Sequence, residues 1–438
     1  MLKPILLLVA STAALTSAPL HPRVVMLLDQ LKRERALEPR GDSAVECLAT
    51  DFGARCDGIT NDTLALQKAI DVCSGTVSLP NGRTCLTHGL ALRNGTRFKI
   101  PGSAVLKAFP NATAWNNKSL HLIEVRDVRD VVVFGGGTVD GSGSTWWQVA
   151  GGDRPHMFYT GNMHNITFRD LKLVNSGRGL LGLGAPCSNV IVDNLTLLEP
   201  AIANSDGIDI SCDGFVVQNC HVQNGDDSIC MKSKEEGSAR NGLVRNCTIR
   251  NGVQLLPATR NYPGHAGGLV LGTAVSPAME NITFSNCTVE GALAGIRIKF
   301  RPSQFGFARN VLFEGITIRS PIAYAIDVIM DSDHAQAGSP RTVDLQNITM
   351  RDVRGFLGPV PRADCGVGNV CPRAVARFLC TAEYPCHNMR LEHVHVHGFK
   401  PTPKFDEPCS FTNVSGSGLD IDPPGCTPPS AHAAFLLP

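Results

Sequence analysis

The chain has 438 residues, of which 43% are hydrophobic, enough for one large core or two ordinary domains. Its 40 lysine and arginine residues almost cancel its 39 aspartate and glutamate residues. This balance excludes a general attraction to nucleic acid or to an anionic membrane, so a preference for an acidic ligand must come from a local cluster of cations.

Residues 1–18 have the pattern of a secretory signal peptide. A single early lysine precedes an apolar run from Ile5 to Leu15, and small residues follow this run. We therefore expect a secreted protein, and no other run is long and apolar enough to span a membrane. Residues 19–43 are polar and contain the basic pair Lys32-Arg33, which suits either a removed pro-segment or a mobile N-terminal extension.

Sixteen cysteines in a secreted chain predict disulfides rather than metal ligands, because the compartment is oxidising and no Cys-x-x-Cys spacing is present. The eleven Asn-x-Ser/Thr sequences also suit a secreted glycoprotein. Sequence does not fix the connectivity of the cysteines. The pairs favoured by short separation are Cys365/Cys371, Cys380/Cys386, Cys409/Cys426 and Cys212/Cys230.

A short amphipathic helix is predicted over residues 64–70, with Thr60, Asn61 or Asp62 as its cap. We expect this helix to close one end of the scaffold. Short β-branched runs bounded by turn residues follow it and predict strands. From Asn165 onward these runs repeat, each introduced by asparagine or glycine, with further copies at Asn189, Gly214, Asn241, Asn281, Asn310, Asn347 and Asn388.

The spacing of the repeats predicts a solenoid. Leu171, Leu195 and Cys220 are separated by 24 and 25 residues, which suits turns that each contain several short strands. Parallel stacking, at about 4.8 Å per step, would align one inward ladder of side chains. Its predicted members are Leu171, Leu195, Cys220, Cys247, Cys287 and Ile316.

The recurring asparagines suit turn positions and side-chain ladders, so we expect some glycosylation sequences to be buried. Co-linear repeats without hairpin dipeptides disfavour a β-sandwich, and the lack of a helix pattern between strands disfavours a leucine-rich-repeat horseshoe. The prediction is an all-β, single-domain right-handed parallel β-helix with a short N-terminal capping helix. This domain would cover residues 44–438 and include a cysteine-rich C-terminal tail.

Four short polar clusters lie in an apolar background: Asn204-Ser205-Asp206, Gly225-Asp226-Asp227, Gly264-His265-Ala266 and Arg297-Ile298-Lys299. Asp206 and Asp226 are 20 residues apart, so they can lie side by side on adjacent turns. Carboxyl groups held so close do not ionise independently, and one is expected to keep its proton. A protonated carboxyl group beside ionised ones is what glycoside hydrolysis requires.

These clusters, in this order and preceded by Gly137-Thr138-Val139-Asp140-Gly141 and Trp146-Trp147, resemble the polygalacturonase family of pectin hydrolases, glycoside hydrolase family 28. The resemblance extends from about Cys47 to the C-terminus. It implies a secreted enzyme of the extracellular space or cell wall that hydrolyses α-1,4-galacturonosyl linkages of polygalacturonate with inversion. It implies no cofactor and no metal.

The resemblance also implies roles for individual residues. Asp226 would be the general acid, and Asp206 with Asp227 would position and deprotonate the attacking water. Acid and base would then be about 6.5–9.5 Å apart. Alternation along a strand puts Arg297 and Lys299 on one face, where they would hold the substrate carboxylate. The remaining implied site residues are His265 near the acid, Asn204 in the cleft and Tyr324 as a sugar contact.

Two departures from the family pattern leave alternatives open. Ala266 follows His265 where the family has glycine, and residues 233–263 form a longer segment than in compact endo-acting relatives. We hypothesise that this segment closes one end of the cleft and makes the enzyme exo-acting. The alternatives are a rhamnogalacturonan or xylogalacturonan hydrolase of the same family, and an inactive polysaccharide-binding solenoid.

A calcium-dependent lyase of the same fold is disfavoured, because the spacing around Asp206 and Asp209 does not form a compact calcium loop. The expected partner is a pectic polysaccharide, with no nucleic acid and no membrane. We expect a monomer.

Overall fold

The computed structural model describes residues 18–37, 45–111, 115, 121–147, 154–200, 202, 204–233, 237–251, 267–273, 278–300, 306–321, 324–330, 343–356, 374–380, 386–397, 409–410, 412–418 and 420–421. In this part, the chain forms two α-helices, α1 (Pro22–Leu37) and α2 (Thr63–Val72). Neither of them combines the length and the apolar character that crossing a membrane requires.

The strands are, in chain order, β1 (Glu46–Leu48), β2 (Asp57–Asn61), β3 (Thr76–Ser78), β4 (Thr84–Thr87), β5 (Leu90–Ala91), β6 (Arg97–Lys99), β7 (Val105–Ala108), β8 (His121–Phe134), β9 (Thr138–Asp140), β10 (His156–Val174), β11 (Leu181–Leu183), β12 (Cys187–Leu198), β13 (Ile208–Ile210), β14 (Asp213–Gln218), β15 (His221–Gln223), β16 (Ile229–Met231), β17 (Arg240–Arg245), β18 (Thr248–Arg250), β19 (Gly267–Leu271), β20 (Ala278–Ser285), β21 (Thr288–Glu290), β22 (Ala294–Lys299), β23 (Gly306–Glu314), β24 (Thr317–Arg319), β25 (Tyr324–Ile329), β26 (Val343–Arg351), β27 (Arg354–Phe356), β28 (Ala374–Leu379), β29 (Cys386–Glu392), β30 (His395–His397), β31 (Cys409–Ser410), β32 (Thr412–Ser417) and β33 (Asp420–Ile421).

Strands from successive turns stack in parallel into three ladders. The cleft ladder, named for the pocket on its outer face, contains β11, β13, β16, β19, β22, β25, β28 and β31. The long ladder continues from β12 through β14, β17, β20, β23, β26, β29 and β32. The short ladder contains β15, β18, β21, β24, β27, β30 and β33. From β13 onward, successive turns supply one strand to each ladder, which confirms the predicted parallel β-helix.

The interior of the coil is a continuous column of apolar side chains. In the cleft ladder, Ile208 pairs with Ile229, which in turn pairs with Leu269, and all three are fully buried. Because side chains alternate along a strand, the residues between them face outward. The same alternation that builds the core therefore leaves one outward row per turn for a functional site.

The predicted inward ladder is confirmed. Leu171 pairs directly with Leu195, and the register of β12 and β15 continues the row to Cys220. Further along, Thr248 donates its backbone N–H to the carbonyl of Cys220 at 2.9 Å. All six members are buried, and the three cysteines in the row are free thiols that act as core residues.

The predicted asparagine ladder is also present. Asn281, Asn310 and Asn347 have positive φ angles of 57°, 55° and 52°, a conformation that asparagine tolerates better than most residues. The side-chain amide of Asn310 donates to Asn281 at 3.4 Å, and that of Asn347 donates to Asn310 at 3.1 Å. These side chains therefore connect successive turns, and glycosylation of Asn281 or Asn347 would compete with the ladder.

The predicted capping helix is α2, which packs on the first turns through Leu66, Ala69 and Ile70. Asp62 precedes it, but its carboxylate accepts hydrogen bonds from the backbone N–H of Arg55 at 2.7 Å rather than capping the helix. Two disulfides strengthen this end of the coil, Cys47–Cys73 and Cys56–Cys85.

Helix α1 occupies part of the segment predicted to be a pro-segment or a mobile extension. It is docked on the outer face of the long ladder, and Arg35 forms ion pairs with Asp193 and, at 3.0 Å, with Asp170. Its removal by cleavage stays a prediction, and residues 1–17 and 38–44 lie outside the described part of the chain. Helix α1 also makes an apolar contact with the long ladder. Its residues Val24, Leu27 and Leu31 pack against Ile191, Val216 and Leu243.

The disulfides correct one predicted pair. Cys212 forms a disulfide with Cys187 rather than with Cys230. Cys187 and Cys212 lie on adjacent turns, with a Cα–Cα distance of 4.5 Å. Cys230 is a free thiol on the neighbouring strand of the cleft ladder. The pair Cys380–Cys386 is confirmed. The remaining predictions depend on Cys365, Cys371 and Cys426, which lie outside the described residues.

Candidate active site

The outer face of the cleft ladder carries the charged residues. In β22, Arg297 and Lys299 face outward, while Ile296 before Arg297 and Ile298 between the two cations are fully buried. In β13, Asp209 faces outward between two buried isoleucines. The predicted alternation of cations and core residues is therefore confirmed for the Arg-Ile-Lys cluster.

The predicted carboxylates lie in the turns that precede β13 and β16. Ile208 pairs with Ile229, and the N–H of Gly207 donates to the carbonyl of Asp227 at 2.9 Å. Continuing this register backwards places Asp206 level with Asp227, one position away from the predicted neighbour Asp226. Asp226 remains in the same cluster, because its carboxylate accepts a hydrogen bond of 3.1 Å from the backbone N–H of Asn204.

Two buried polar side chains hold these turns together. The amide of Asn224 donates to the carbonyls of Ser205 at 2.8 Å, Asp226 at 2.8 Å and Asp227 at 3.0 Å. The hydroxyl of Ser205 accepts a hydrogen bond of 3.0 Å from the N–H of Gly225. Because both side chains are buried and satisfied, they fix the three carboxylates relative to one another.

Asp227 is buried and paired with a lysine. Lys299 Nζ lies 2.7 Å from its Oδ2, and the N–H of Gly267 donates to its Oδ1 at 3.0 Å. Burial acts to raise the pKa of Asp227, but the charges of Lys299 and Arg297 outweigh this effect and lower the pKa. Asp227 is therefore ionised at mildly acidic pH.

A second lysine bridges two carboxyl groups. Lys232 Nζ lies 2.6 Å from Asp209 Oδ2 and also forms an ion pair with Asp206. Burial raises the pKa of Asp209 to about 8, and the nearby charge of Asp206 adds to this effect. The sequence predicted that one of several close carboxyl groups would keep its proton, and Asp209, outside the predicted set, has this property.

The predicted substrate-binding cation Arg297 belongs to a row of alternating charge. It pairs in register with Asp327, which pairs in turn with Arg377 on the next strand. Arg297 Nε lies 3.4 Å from Asp327 Oδ2, and Arg377 Nε lies 2.7 Å from Oδ1. Asp327 is fully buried and lies between the two guanidinium groups in this row.

Three further predicted residues have different positions. Asn204 is exposed in the first carboxylate turn, with a positive φ of 58°. Tyr324 is 4% exposed, and the guanidinium of Arg377 lies 4.2 Å from the centre of its ring. Its role as a sugar contact stays a prediction. His265 and Ala266 lie outside the described residues, two positions and one position before Gly267, whose N–H contacts Asp227.

Lys232, Asp209 and Asp327 were not predicted as site residues. Their signal is positional. Asp327 pairs in register with the predicted residue Arg297, and Lys232 forms an ion pair with the predicted residue Asp206 and a second one with Asp209. This signal requires the register between turns, which the spacing of the sequence motifs does not supply.

Among the described residues, one group has the composition of a metal site, namely Cys56, Asp62 and Cys85. Both cysteines are joined in a disulfide, and Asp62 accepts backbone hydrogen bonds. These groups are therefore engaged in the fold of the N-terminal cap rather than available as metal ligands.

The fold and the site together define a class of protein, a β-helical hydrolase with carboxyl groups and lysines in an open cleft. The family model for glycosyl hydrolases family 28 matches residues 70–415, and the chain belongs to this family. This confirms the resemblance found in the sequence.

Individual relatives agree with this assignment. A probable polygalacturonase of Arabidopsis thaliana is 27% identical over 79% of this chain and 73% of its own length. An exopolygalacturonase from Thermotoga maritima has a TM-score of 0.68 and 17% identity, covering 85% of this chain and 90% of its own. An endo-xylogalacturonan hydrolase from Aspergillus tubingensis has the same TM-score at 20% identity, covering 86% and 100%. The two structures support the right-handed parallel β-helix.

Proposed function

We propose that the protein is a secreted polygalacturonase that hydrolyses α-1,4-galacturonosyl linkages of pectin with inversion at the anomeric carbon. The observation that carries this proposal is the clustering of Asp206, Asp226 and Asp227 in two neighbouring turns, with Lys232 paired to Asp206 and Lys299 paired to Asp227. Asp206 and Lys232 line an open pocket beside these turns. Carboxyl groups can protonate the leaving oxygen and activate water, and cations can hold an acidic sugar. The relatives named polygalacturonases support this choice of substrate.

In this proposal, Asp226 donates a proton to the glycosidic oxygen as the bond to the anomeric carbon breaks. A water molecule attacks that carbon from the opposite face and gives its proton to Asp206 or Asp227. Asp226 is half-buried and accepts hydrogen bonds from two backbone N–H groups, at 2.9 Å from Asp227 and 3.1 Å from Asn204. These contacts would aim its carboxyl group into the cleft.

The lysines would separate the roles of the carboxyl groups. Lys299 and Arg297 keep the pKa of Asp227 low, which suits a base. Lys232 pairs with Asp206 on one side and with Asp209 on the other. Because Asp209 keeps its proton at acidic pH, the bridge would fix the orientation of Asp206 without adding a second full negative charge.

Arg297 and Lys299 would bind the carboxylate of the galacturonate residue at the cleavage site. Both are already paired with aspartates, at 3.4 Å and 2.7 Å, so a substrate carboxylate would join an existing network. Such preorganised cations cost little rearrangement when the substrate arrives. The same network would disfavour a fully esterified sugar, which has no negative charge to offer.

Release of reducing ends from polygalacturonate by the purified protein tests the proposal. Hydrolysis produces reducing ends without unsaturated sugars, and EDTA should leave the rate unchanged. Unsaturated products that disappear with EDTA would instead indicate a calcium-dependent lyase. If neither product forms, xylogalacturonan and rhamnogalacturonan are the next substrates, since a xylogalacturonan hydrolase shares this fold. Inactivity on all three would favour the polysaccharide-binding solenoid.

Exo action is proposed from residues 233–263, the long segment that follows the carboxylate turns and precedes Gly267 at the site. Strands β17 and β18 lie within this segment, and its residues 234–236 and 252–263 lie outside the described part of the chain. The product distribution at early times tests this mode of action. Galacturonate monomers or dimers alone would support it, whereas a ladder of mixed oligomers would show endo action. Expression of the full chain with residues 1–18, followed by N-terminal sequencing of the protein in the medium, tests secretion.

A further inference from the structure

The pocket on the cleft ladder extends past the carboxylates towards the N-terminal turns. It has a volume of about 350 Å³. Asp206, Asp209 and Lys232 line one end, and His156, Tyr159 and Arg178 line the part contributed by the preceding turns. None of these last three residues belongs to the four clusters that define the proposed chemistry. The pocket therefore offers a binding surface beyond the cleavage site.

Arg178 is the cation of this extension. Its side chain is half-buried and lines the pocket, and within the described part of the chain its guanidinium forms no ion pair. Three other cations near the carboxylates are each paired with an aspartate: Lys232 with Asp206, Lys299 with Asp227, and Arg297 with Asp327. A half-buried guanidinium facing a pocket without a protein partner can gain a charged hydrogen bond from an anionic ligand.

The position of Arg178 is fixed by the turn stacking. Leu181 pairs with Ile208, so Arg178 lies level with Ser205, one turn before the first carboxylate cluster. The N–H of Gly179 donates to the carbonyl of Asn204 at 2.9 Å, and the N–H of Leu180 donates to that of Asp206 at 2.8 Å. Neighbouring turns are about 4.8 Å apart, so Arg178 is next to the carboxylates along the cleft.

The surroundings of Arg178 favour an anion over a neutral sugar held by stacking. The ring of Tyr159 is already stacked on His121, with ring centres 3.9 Å apart, and its hydroxyl accepts a hydrogen bond of 2.6 Å from Arg126. The buried guanidinium of Arg154 lies close to Arg178: burial and the charge of Arg178 lower the pKa of Arg154, and the charge of Glu199 opposes this effect. The pocket extension is therefore locally cationic in a protein whose overall charge is close to zero.

We infer that Arg178 binds the carboxylate of a second uronate residue of the same substrate chain, on the N-terminal side of the carboxylate turns. Arg297 and Lys299 lie on β22, four ladder steps beyond β11, and would hold a different residue of that chain. This inference rests on the proposed function. It makes Arg178 a specificity-determining residue that selects for a second unesterified uronate in the substrate, since a methyl ester cannot form the bidentate contact of a guanidinium with a carboxylate.

The test compares Arg178→Gln and Arg178→Lys with a matched control, Arg129→Gln. Arg129 is exposed on β8 and does not line the pocket. On unesterified polygalacturonate, Arg178→Gln should lower kcat/KM about tenfold to a hundredfold, the range for loss of a charged hydrogen bond. On pectin with most carboxyl groups esterified, the loss should be much smaller. Arg178→Lys should recover part of the activity, and Arg129→Gln should match the wild type.

Equal losses on both substrates, or wild-type kcat/KM for Arg178→Gln, would overturn the inference while leaving the proposed function intact. If the wild type releases no reducing ends, the proposed function fails. The role of Arg178 is then tested on its own, by measuring the binding of oligogalacturonate. In an Asp226→Asn background, Arg178→Gln should weaken the binding of unesterified oligogalacturonate at least tenfold in calorimetry. Unchanged binding would refute the role of Arg178.

Discussion

The outer faces of the cleft ladder and the long ladder have the same strand geometry but carry different residues. On the long ladder, Ile191, Val216 and Leu243 form an apolar row that helix α1 covers. On the cleft ladder, the corresponding outward row includes Asp209, Arg297, Asp327 and Arg377, and these charges pair with one another or with neighbours. An outward position in this solenoid thus supports either packing or chemistry, depending on what lies over it.

This comparison predicts that substitutions on the cleft ladder change activity more than stability, and that substitutions under α1 do the opposite. The largest effect is expected at the proposed acid. Asp226→Asn should lower kcat by about 10²–10⁴-fold, the range for losing a general acid, while substrate binding is retained. Initial rates and calorimetric binding measure both quantities.

The matched control is Asp352→Asn, an exposed aspartate paired with His393 at the turn between long-ladder and short-ladder strands. It should retain wild-type kcat. A kcat for Asp226→Asn within a factor of about three of the wild type would remove Asp226 from the role of acid, since general-acid loss costs at least about a hundredfold.

A smaller loss is expected when Asp227 loses its cation. Lys299→Met removes the ammonium group 2.7 Å from the carboxylate, so the pKa of Asp227 should rise. The acidic limb of the kcat/KM profile should move to higher pH, and kcat/KM should fall about tenfold to a hundredfold, as for other charged contacts.

Lys99→Met provides the control for this variant, because Lys99 forms an exposed ion pair of 3.1 Å with Glu46 near the N-terminal cap. Such surface pairs contribute little, so the pH profile should not move. An acidic limb that stays in place in Lys299→Met would show that Asp227 does not determine it.

Under the helix, the expected change is in stability. Leu27→Ala removes a fully buried contact between α1 and the long ladder and should destabilise the docked helix by about 3 kcal/mol. Trypsin should then cleave faster at Lys32 and Arg33, because cleavage requires local unfolding, while kcat remains unchanged. Met26→Ala alters an exposed residue of the same helix and should leave the digestion rate unchanged. A fall in kcat for Leu27→Ala would break the proposed separation of the two faces.

The last prediction concerns the buried proton and the pH dependence of stability. The pKa of Asp209 is raised from 3.8 to about 8, so the folded state retains a proton that the unfolded state loses near pH 4. Stability should therefore fall as pH rises from about 4 to about 8, and this contribution is fully present only below the lower value. Asp209→Asn, which mimics the neutral form, should make the dependence of urea unfolding on pH shallower. If the pH dependence of urea unfolding were unchanged in Asp209→Asn, the retained proton would belong to a group other than Asp209.

Much of the scaffold follows from local patterns. The inward ladder from Leu171 to Ile316 and the asparagines at positive φ depend on residue type and on a near-constant repeat, both of which are visible in the sequence. The strand alternation around Ile298 likewise placed Arg297 and Lys299 on one face. These features need no knowledge of how turns align.

Features that depend on contacts between turns were predicted less well. The step from Ile208 to Ile229 is 21 residues, one more than the 20 that separate Asp206 from Asp226, so the neighbour of Asp206 is Asp227. The pairs of Lys232 with Asp209 and of Cys187 with Cys212 have the same origin. In α1, the spacing of Val24, Leu27 and Leu31 suits a helix face, but the surrounding charges obscured it.

The most direct test of the central claim is the anomeric configuration of the first product. Proton NMR of oligogalacturonate hydrolysis at high enzyme concentration identifies this configuration before mutarotation mixes the anomers. Water attack assisted by Asp206 and Asp227, opposite a leaving group protonated by Asp226, predicts that the β-anomer appears first. Initial formation of the α-anomer would show retention and would contradict the assignment of these carboxyl groups.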